Sequence, residues 1–129
     1  MIMAYCIFIP ILLFISGFAK AIMDLSEEGK IKFKPSRYWI KSMSSPNKWK
    51  DGDPRKGEKF FGSSRWFVSF TDAWHLFGLL QRITFATSFA ISGFMAGKYG
   101  LIWLSGLKVN YIIFALAFHL FYNSKKLRS

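Results

Sequence analysis

The sequence is poor in cysteine and in acidic residues, and each scarcity excludes a class of protein. Its single cysteine, Cys6, lies inside an apolar run, so neither an intrachain disulfide nor a cysteine metal cluster can form. The Asp and Glu residues number 7 against 18 Lys and Arg, which gives a net charge of +11. No Ser, His and Asp arrangement typical of a hydrolase and no phosphate-binding loop is present. We therefore expect no enzymatic activity and no cofactor.

Apolar residues are abundant instead, at 52% of the 129 residues, with aromatics at 19%. The first apolar run extends to Met23 and carries no charge before Lys20. Its length matches the ~20 residues that cross a hydrocarbon core of about 30 Å. A cleaved signal peptide is the alternative, but this run has no basic residue ahead of it and is too long. We assign residues 1–23 to a first transmembrane helix.

Residues 66–129 are predicted to form a transmembrane hairpin with a basic tail. The preferred spans are about 73–97 and 101–121, joined by a tight turn at Lys98-Tyr99-Gly100. A second division places one span at 83–107 and leaves 109–122 for the next, which is too short to cross at about 1.5 Å per residue. The sequence therefore predicts an all-α integral membrane protein with three transmembrane helices.

Residues 24–65 form a connector of opposite character, with eleven Lys or Arg and six Asp or Glu. Three prolines make regular structure unlikely through its centre, although residues 36–42 are compatible with a short interfacial helix. A disordered linker rarely carries so many aromatics, whereas aromatics among lysines fit a segment on the headgroup layer. These aromatics are Tyr38, Trp39, Trp49, Phe60 and Phe61.

The orientation follows from the placement of cations, because loops rich in Lys and Arg stay on the cytoplasmic side. The connector and the C-terminal tail are basic, while the N-terminus has no basic side chain. We expect a multi-pass protein of the inner (cytoplasmic) membrane with its N-terminus outside and its C-terminus cytoplasmic. The expected partner of the basic residues is a lipid bilayer with anionic headgroups, not nucleic acid.

Small residues recur at four-residue spacing on the second span, where Gly93 and Gly97 form a GxxxG pair with Ala96 beside them. Such faces let membrane helices approach closely. The helix that packs there is either the first span, through Gly17 and Ala21, or another subunit. The second possibility predicts a homo-oligomer or a place in a larger membrane complex.

Two cations interrupt the predicted spans. Counted along the helices, Arg82 and Lys108 both lie towards the middle of the bilayer, and no acid accompanies them. Charges at that depth usually face a bundle interior or a water-filled cavity. They indicate an anion path or a lumen formed by several copies. The alternatives are a misplaced span boundary with snorkelling side chains, or a polar pocket of a partner that receives Arg82.

The two histidines, His75 and His119, fall near the cytoplasmic end of the predicted hairpin, at similar depth. A metal or a bis-histidine haem could use such a pair. The simpler interpretation is two amphipathic residues at an interface. Asp72 would then be a helix-start acid or a partner of His75.

The segments Asn47–Lys50, Phe61–Ser64 and Thr71–His75 together cover roughly a quarter of the chain when the residues between them are allowed for. Their pattern resembles small uncharacterised membrane proteins of Bacteroidota-type bacteria and their phages. The resemblance implies a membrane protein of bacterial or phage origin and assigns no site.

Three functional hypotheses follow. The first is a structural or accessory membrane component that acts through helix–helix association, supported by the small-residue face and the aromatic-rich connector. The second is a pore-former resembling phage holins, which share the size, the three-span topology and the basic tail but have shorter loops. The third is a membrane haem or metal protein that uses His75 and His119.

Overall fold

The structure is a computed structural model that describes the backbone of residues 2–100 and 102–128 and the side chains of 5–98, 100 and 111–128. Its helices are α1 (Ile2–Glu27), α2 (Ser36–Trp39), α3 (Ser45–Lys48), α4 (Ala73–Tyr99) and α5 (Ile102–Tyr122). Short 3-10 turns occupy Lys41–Met43, Lys50–Gly52, Pro54–Lys56 and Val68–Phe70. Within the described ranges no strand forms, so the predicted all-α class is confirmed.

The three long helices form one bundle in which α1 packs against both α4 and α5. Helix α1 runs antiparallel to α4, because the Ser16 hydroxyl reaches the carbonyl of Gln81 while Glu27 accepts a hydrogen bond from Trp74. It runs parallel to α5, since Gly17 lies against Phe114 and Ala117 while the Tyr122 hydroxyl at the end of α5 donates to Glu28 just beyond α1. The connector and the C-terminal tail therefore lie at the same end of the bundle.

The basic connector and the basic tail are joined directly at that end. The backbone N–H of Lys32 donates to the carbonyl of Leu127 at 2.9 Å, and Ile31 forms an isolated β-bridge with Arg128. The Lys32 ammonium also reaches the carbonyl of Lys125. This geometry gathers the two cation-rich segments at one end of the bundle.

The interior of the bundle contains large apolar residues, among them Ile9, Leu13, Ile22, Leu25 and Met95, together with small and hydroxylated ones, and many other large apolar side chains are exposed on its surface. Its buried positions include Ser16, Ala19, Ala21, Thr84, Ser88, Ser92 and Ala117. Its exposed positions include Ile7, Phe8, Ile11, Phe14, Leu79, Ile83, Phe89, Phe94, Ile112, Leu116 and Leu120. The buried hydroxyls of Ser88 and Ser92 donate to carbonyls of their own helix. Small residues where helices contact one another are typical of membrane helix packing.

Helix α1 contains the segment Tyr5–Glu27, which among the described residues is the one stretch long and apolar enough to cross a membrane. In α5 the described apolar stretch, Tyr111–Tyr122, is shorter. The first predicted span is thus a continuous helix through Pro10. The helix continues past Met23 to Glu27, and an i,i+4 ion pair between Lys20 and Asp24 lies at the end of the apolar run.

We call residues 28–72 the connector cap, because the connector folds over the end of the bundle. The predicted helix at 36–42 forms only in part: α2 stops at Trp39, since Ile40 is extended, and a 3-10 turn follows. The chain reverses at Asp51 and Gly52, whose positive φ angles of 53° and 76° bring Trp49 and Glu58 into a β-bridge.

The apolar side of the connector cap covers the end of the bundle where α1 stops and α4 begins. Ile22 and Leu25 of α1 and Ile31 of the cap form a buried cluster. Trp39 packs against this cluster and contacts Phe77 of α4. The expectation that long regular structure is unlikely through the connector centre agrees with the helical turns of only three or four residues that form there. Although its helices are short, they are held by tertiary contacts that local pattern does not reveal.

Candidate functional site

Asp72 is the centre of the polar contacts between the connector cap and the bundle. It is the N-cap of α4, where its carboxylate accepts the backbone N–H of His75 at 2.9 Å. The same carboxylate lies 2.7 Å from Nζ of Lys48 and 2.8 Å from Nδ1 of His75. Its side chain is fully buried, and both carboxylate oxygens have partners inside the protein.

The electrostatics of this cluster favour a permanently charged carboxylate. Burial by itself would raise the pKa of Asp72, but the hydrogen bonds from His75 and Lys48 and from the helix backbone outweigh it and hold that pKa far below its ordinary range. Burial, and then the charge of Asp72, raise the pKa of the neighbouring Tyr38. The Tyr38 hydroxyl therefore stays protonated and available as a donor.

The cap is positioned around Asp72 by side chains that bond to backbone groups. Asn47 Nδ2 donates to the carbonyls of Thr71 and Arg37 at 2.8 and 2.9 Å. The Ser63 hydroxyl donates to the carbonyl of Lys48 at 2.7 Å. These bonds hold in place both the segment that contains Lys48 and Thr71, the residue before Asp72.

Sequence reasoning identified Asp72 as a helix-start acid or partner of His75, and the structure shows both roles. It missed Lys48 as the second partner. The structure brings together the segments Asn47–Lys50, Phe61–Ser64 and Thr71–His75, in which the resemblance was found.

Glu58 holds the loop that precedes α4. Its carboxylate accepts the backbone N–H of Gly62 at 2.9 Å and is hydrogen-bonded by the Ser64 hydroxyl. The Ser64 bond and then the Gly62 bond lower the pKa of Glu58. This acid, like Asp72, thus serves the internal architecture of the cap.

The two histidines lie in different environments. The His75 ring is engaged by Asp72, while His119 is exposed on α5 and contacts the neighbouring Phe118 ring. No hydrogen bond or ring contact joins the two in the part of the chain that the structure describes. Over the same residues, no group of three or more His, Cys, Asp or Glu is placed to hold a metal ion.

Arg82 lies on the outer face of α4, between the exposed side chains of Leu79 and Ile83. With Ser69 and His75 it lines a small cavity of about 110 Å³ on that face. It does not project into the interior that α4 shares with α1 and α5. The side chain of Lys108 lies outside the described residues.

The predicted small-residue faces do not meet within the chain. Gly17 packs on α5, since a Cβ there would come within 2.9 Å of Ala117 and still closer to the carbonyl of Phe114. Ala21, on α1 like Gly17, is buried. By contrast, Gly93 and Gly97 are exposed and have open space where a Cβ would project. Ala96 beside them is half-buried.

No known family model, no curated protein and no solved structure matches this chain with statistical significance.

Proposed function

We propose that the chain is a three-span inner-membrane protein that acts as a structural or accessory component by associating with itself along α4. The N-terminus lies outside, and the connector cap and the tail lie in the cytoplasm. The observation that carries the proposal is the exposed small-residue face of α4, which leaves Gly93 and Gly97 without a packing partner in the described residues of the chain.

The placement of three helices across the bilayer is supported by their lengths and surfaces. Helices α1, α4 and α5 contain 26, 27 and 21 residues, enough for a core of about 30 Å at about 1.5 Å per residue. All three present large apolar side chains outward. In a lipid bilayer such a surface avoids the free-energy penalty of exposing apolar side chains to water.

The orientation is supported by the charge at one end of the bundle. Eleven Lys or Arg of the connector and three of the tail gather at the end where α1 stops and α4 begins. The opposite end carries the N-terminus and the turn at Gly100. Cations at this density are retained on the cytoplasmic side, beside anionic headgroups.

A second copy of the chain is the occupant that best fits the open face of α4. The exposed small residues follow helical spacing, at Ala86, Ala90, Gly93 and Gly97. Two copies inserted in the same orientation hold their α4 helices parallel, so the same face meets itself across a two-fold axis. Close backbone approach through Gly93 and Gly97 then replaces lipid contacts with helix contacts.

Arg82 lies on this face as well, eleven residues before Gly93. Right-handed GxxxG pairs cross at about 40°, so two helices in contact at Gly93 and Gly97 separate by more than roughly 10 Å at Arg82. The two like charges therefore stay apart, and each guanidinium can reach the headgroup layer at the inner end of α4.

The test is the mass of the full chain purified in mild detergent, measured by native mass spectrometry with everything that accompanies it. We expect a homodimer in the native chain and mostly monomer in Gly93→Leu and Gly97→Leu. Phe94→Leu is the matched control, because it places leucine about 100° around the same helix. A native chain that is monomeric and unaccompanied would contradict the proposal.

The other two hypotheses give different results in related measurements. A pore-former would stop growth and permeabilise the inner membrane on expression, and Arg82→Leu would abolish that effect while leaving insertion intact. A bis-histidine haem protein would show a Soret band that is lost in His75→Ala and His119→Ala. Silent expression with a Gly93-dependent dimer, or a Gly93-dependent membrane partner, supports the accessory role.

A further inference from the structure

The connector cap contains an open cleft of about 440 Å³ beside the start of α4. Two cations, Arg37 and Lys59, line it together with Tyr38 and Thr71. Phe60 and Phe70 form its rim and are 47% and 71% exposed. The cleft thus combines positive charge and a hydroxyl donor with an exposed aromatic edge.

Neither cation of the cleft is neutralised by an acidic side chain among the described residues. In the described part of the chain the Arg37 guanidinium has no acidic partner, and Lys59 Nζ donates to the neutral carbonyl of Pro46 at 2.9 Å. The nearby carboxylate of Asp72 is already matched by Lys48. An anion that enters the cleft therefore meets two uncompensated cations.

The walls of the cleft are also rigidly placed. Asn47 uses both amide N–H groups on the carbonyls of Arg37 and Thr71, so it joins the two sides of the cleft. Asn47 is a positioning residue, since it has no donor left for a ligand. Arg37, Tyr38 and Lys59 are the lining residues that offer donors to an anion.

The depth of the cleft matches the phospholipid headgroups. Phe70 and Thr71 immediately precede Asp72, the N-cap of α4, so at up to about 3.5 Å per residue they lie within roughly 10 Å of the predicted span. The headgroup layer beside the hydrocarbon core is about 5–7 Å thick. The neighbouring Phe61 and Trp66 are 86% and 80% exposed, as expected for side chains in that layer.

We propose that this cleft binds the phosphate of an anionic phospholipid headgroup, with Arg37 and Lys59 pairing with the phosphate oxygens and Tyr38 donating a hydrogen bond. The rim of Phe60 and Phe70 contacts the glycerol and the upper acyl chains. The inference rests on the proposed position of the connector cap at the membrane surface, but it is independent of dimerisation through α4.

The experiment titrates the full chain in mild detergent with short-chain phosphatidylglycerol, and in parallel with short-chain phosphatidylcholine and inorganic phosphate. Bound lipid is counted by native mass spectrometry, and tryptophan fluorescence gives the affinity. We expect phosphatidylglycerol to bind at least tenfold more tightly than either of the other two. Equal affinity for phosphatidylglycerol and inorganic phosphate would identify a free-phosphate site and overturn the lipid proposal.

Matched variants distinguish specific binding in the cleft from non-specific electrostatic attraction to the basic connector cap. Arg37→Gln and Lys59→Gln should each weaken phosphatidylglycerol binding by about tenfold, as expected for loss of one charge-assisted contact. Arg55→Gln and Lys50→Gln remove equal charge from exposed positions of the same cap outside the cleft. They should change the affinity less than twofold. An equal loss in all four variants would show diffuse electrostatics and overturn the inference.

Two further readouts keep this result distinct from the proposed function. Circular dichroism of each variant identifies those that fail to fold, and for such a position Arg37→Met or Lys59→Met, which also removes the charge, replaces it. The dimer mass should be unchanged in the cleft variants, while Gly93→Leu should lose the dimer and still bind phosphatidylglycerol. Loss of lipid binding in Gly93→Leu would contradict the independence of the two sites.

Discussion

Lys48 and Asp72 form an ion pair at 2.7 Å that links the last residue of α3 to the N-cap of α4. The carboxylate is fully buried and the lysine side chain is 16% exposed. Breaking a buried pair on one side leaves an uncompensated charge, whereas replacing both partners with neutral groups is often tolerated. Removing one partner therefore costs more free energy than the intact pair contributes on balance, and this cost holds the connector cap on the bundle.

Asp72→Asn should lower the free energy of unfolding by roughly 3 kcal/mol, because it isolates Lys48 in a buried position. Asparagine is also a good N-cap, so the start of α4 is retained. Denaturant unfolding of the full chain in detergent, followed by circular dichroism, measures the change.

The double variant Lys48→Met with Asp72→Asn should recover most of that loss, because neither partner is then charged. A double-mutant cycle from the two single variants gives the coupling free energy, which we expect to be about 1–3 kcal/mol. Strictly additive losses would mean that the two side chains do not interact in the folded protein.

Acid should destabilise the connector cap through Asp72. A carboxyl whose folded pKa lies below its ordinary value of 3.8 stabilises the fold above that pH and loses its contribution as the pH falls towards the folded pKa. The thermal midpoint should therefore decrease between about pH 5 and pH 2.

Asp72→Asn is the control for this acid sensitivity, and its thermal midpoint should depend less steeply on pH. Part of the slope should remain, because the pKa of Glu58 is lowered too and contributes with the same sign. Identical pH profiles for the native chain and for Asp72→Asn would contradict the assignment.

Gly17→Leu should disrupt the contact of α1 with α5, since any Cβ at Gly17 collides with Ala117 and the Phe114 backbone. Overpacking of this kind costs typically about 1–3 kcal/mol. Gly93→Leu is the matched substitution at an open position and should leave the unfolding of the monomer unchanged. Thermal unfolding of both variants in the same detergent compares them directly.

Cysteine accessibility tests the proposed topology. In a Cys6→Ser background, a single cysteine at the exposed Ser42 of the connector cap should react with a membrane-impermeant maleimide only after the inner membrane is broken. A cysteine appended before Met1 should react in intact spheroplasts. Labelling of position 42 from the outside of intact cells would reverse the orientation.

The organisation of the chain into long helices and a basic connector could be read from the sequence, because it depends on local composition. Long, mainly apolar runs predicted helices that the structure places at Ile2–Glu27, Ala73–Tyr99 and Ile102–Tyr122. The position of Asp72 before an apolar run indicated a helix start, since an N-cap is a property of neighbouring residues. The concentration of Lys and Arg in two segments was likewise visible without a fold.

Tertiary structure decided which sides of those helices meet. The sequence offered Gly17 as a packing partner for Gly93 and Gly97, but the fold turns Gly17 towards α5 and leaves the other two exposed. It also brought Lys48 to Asp72 across the connector and placed Arg82 on the outer face of α4. Composition and spacing act along the chain and set the helices and the charged segments. Contacts between distant residues depend on how helices rotate and pack together, and only the folded molecule determines them.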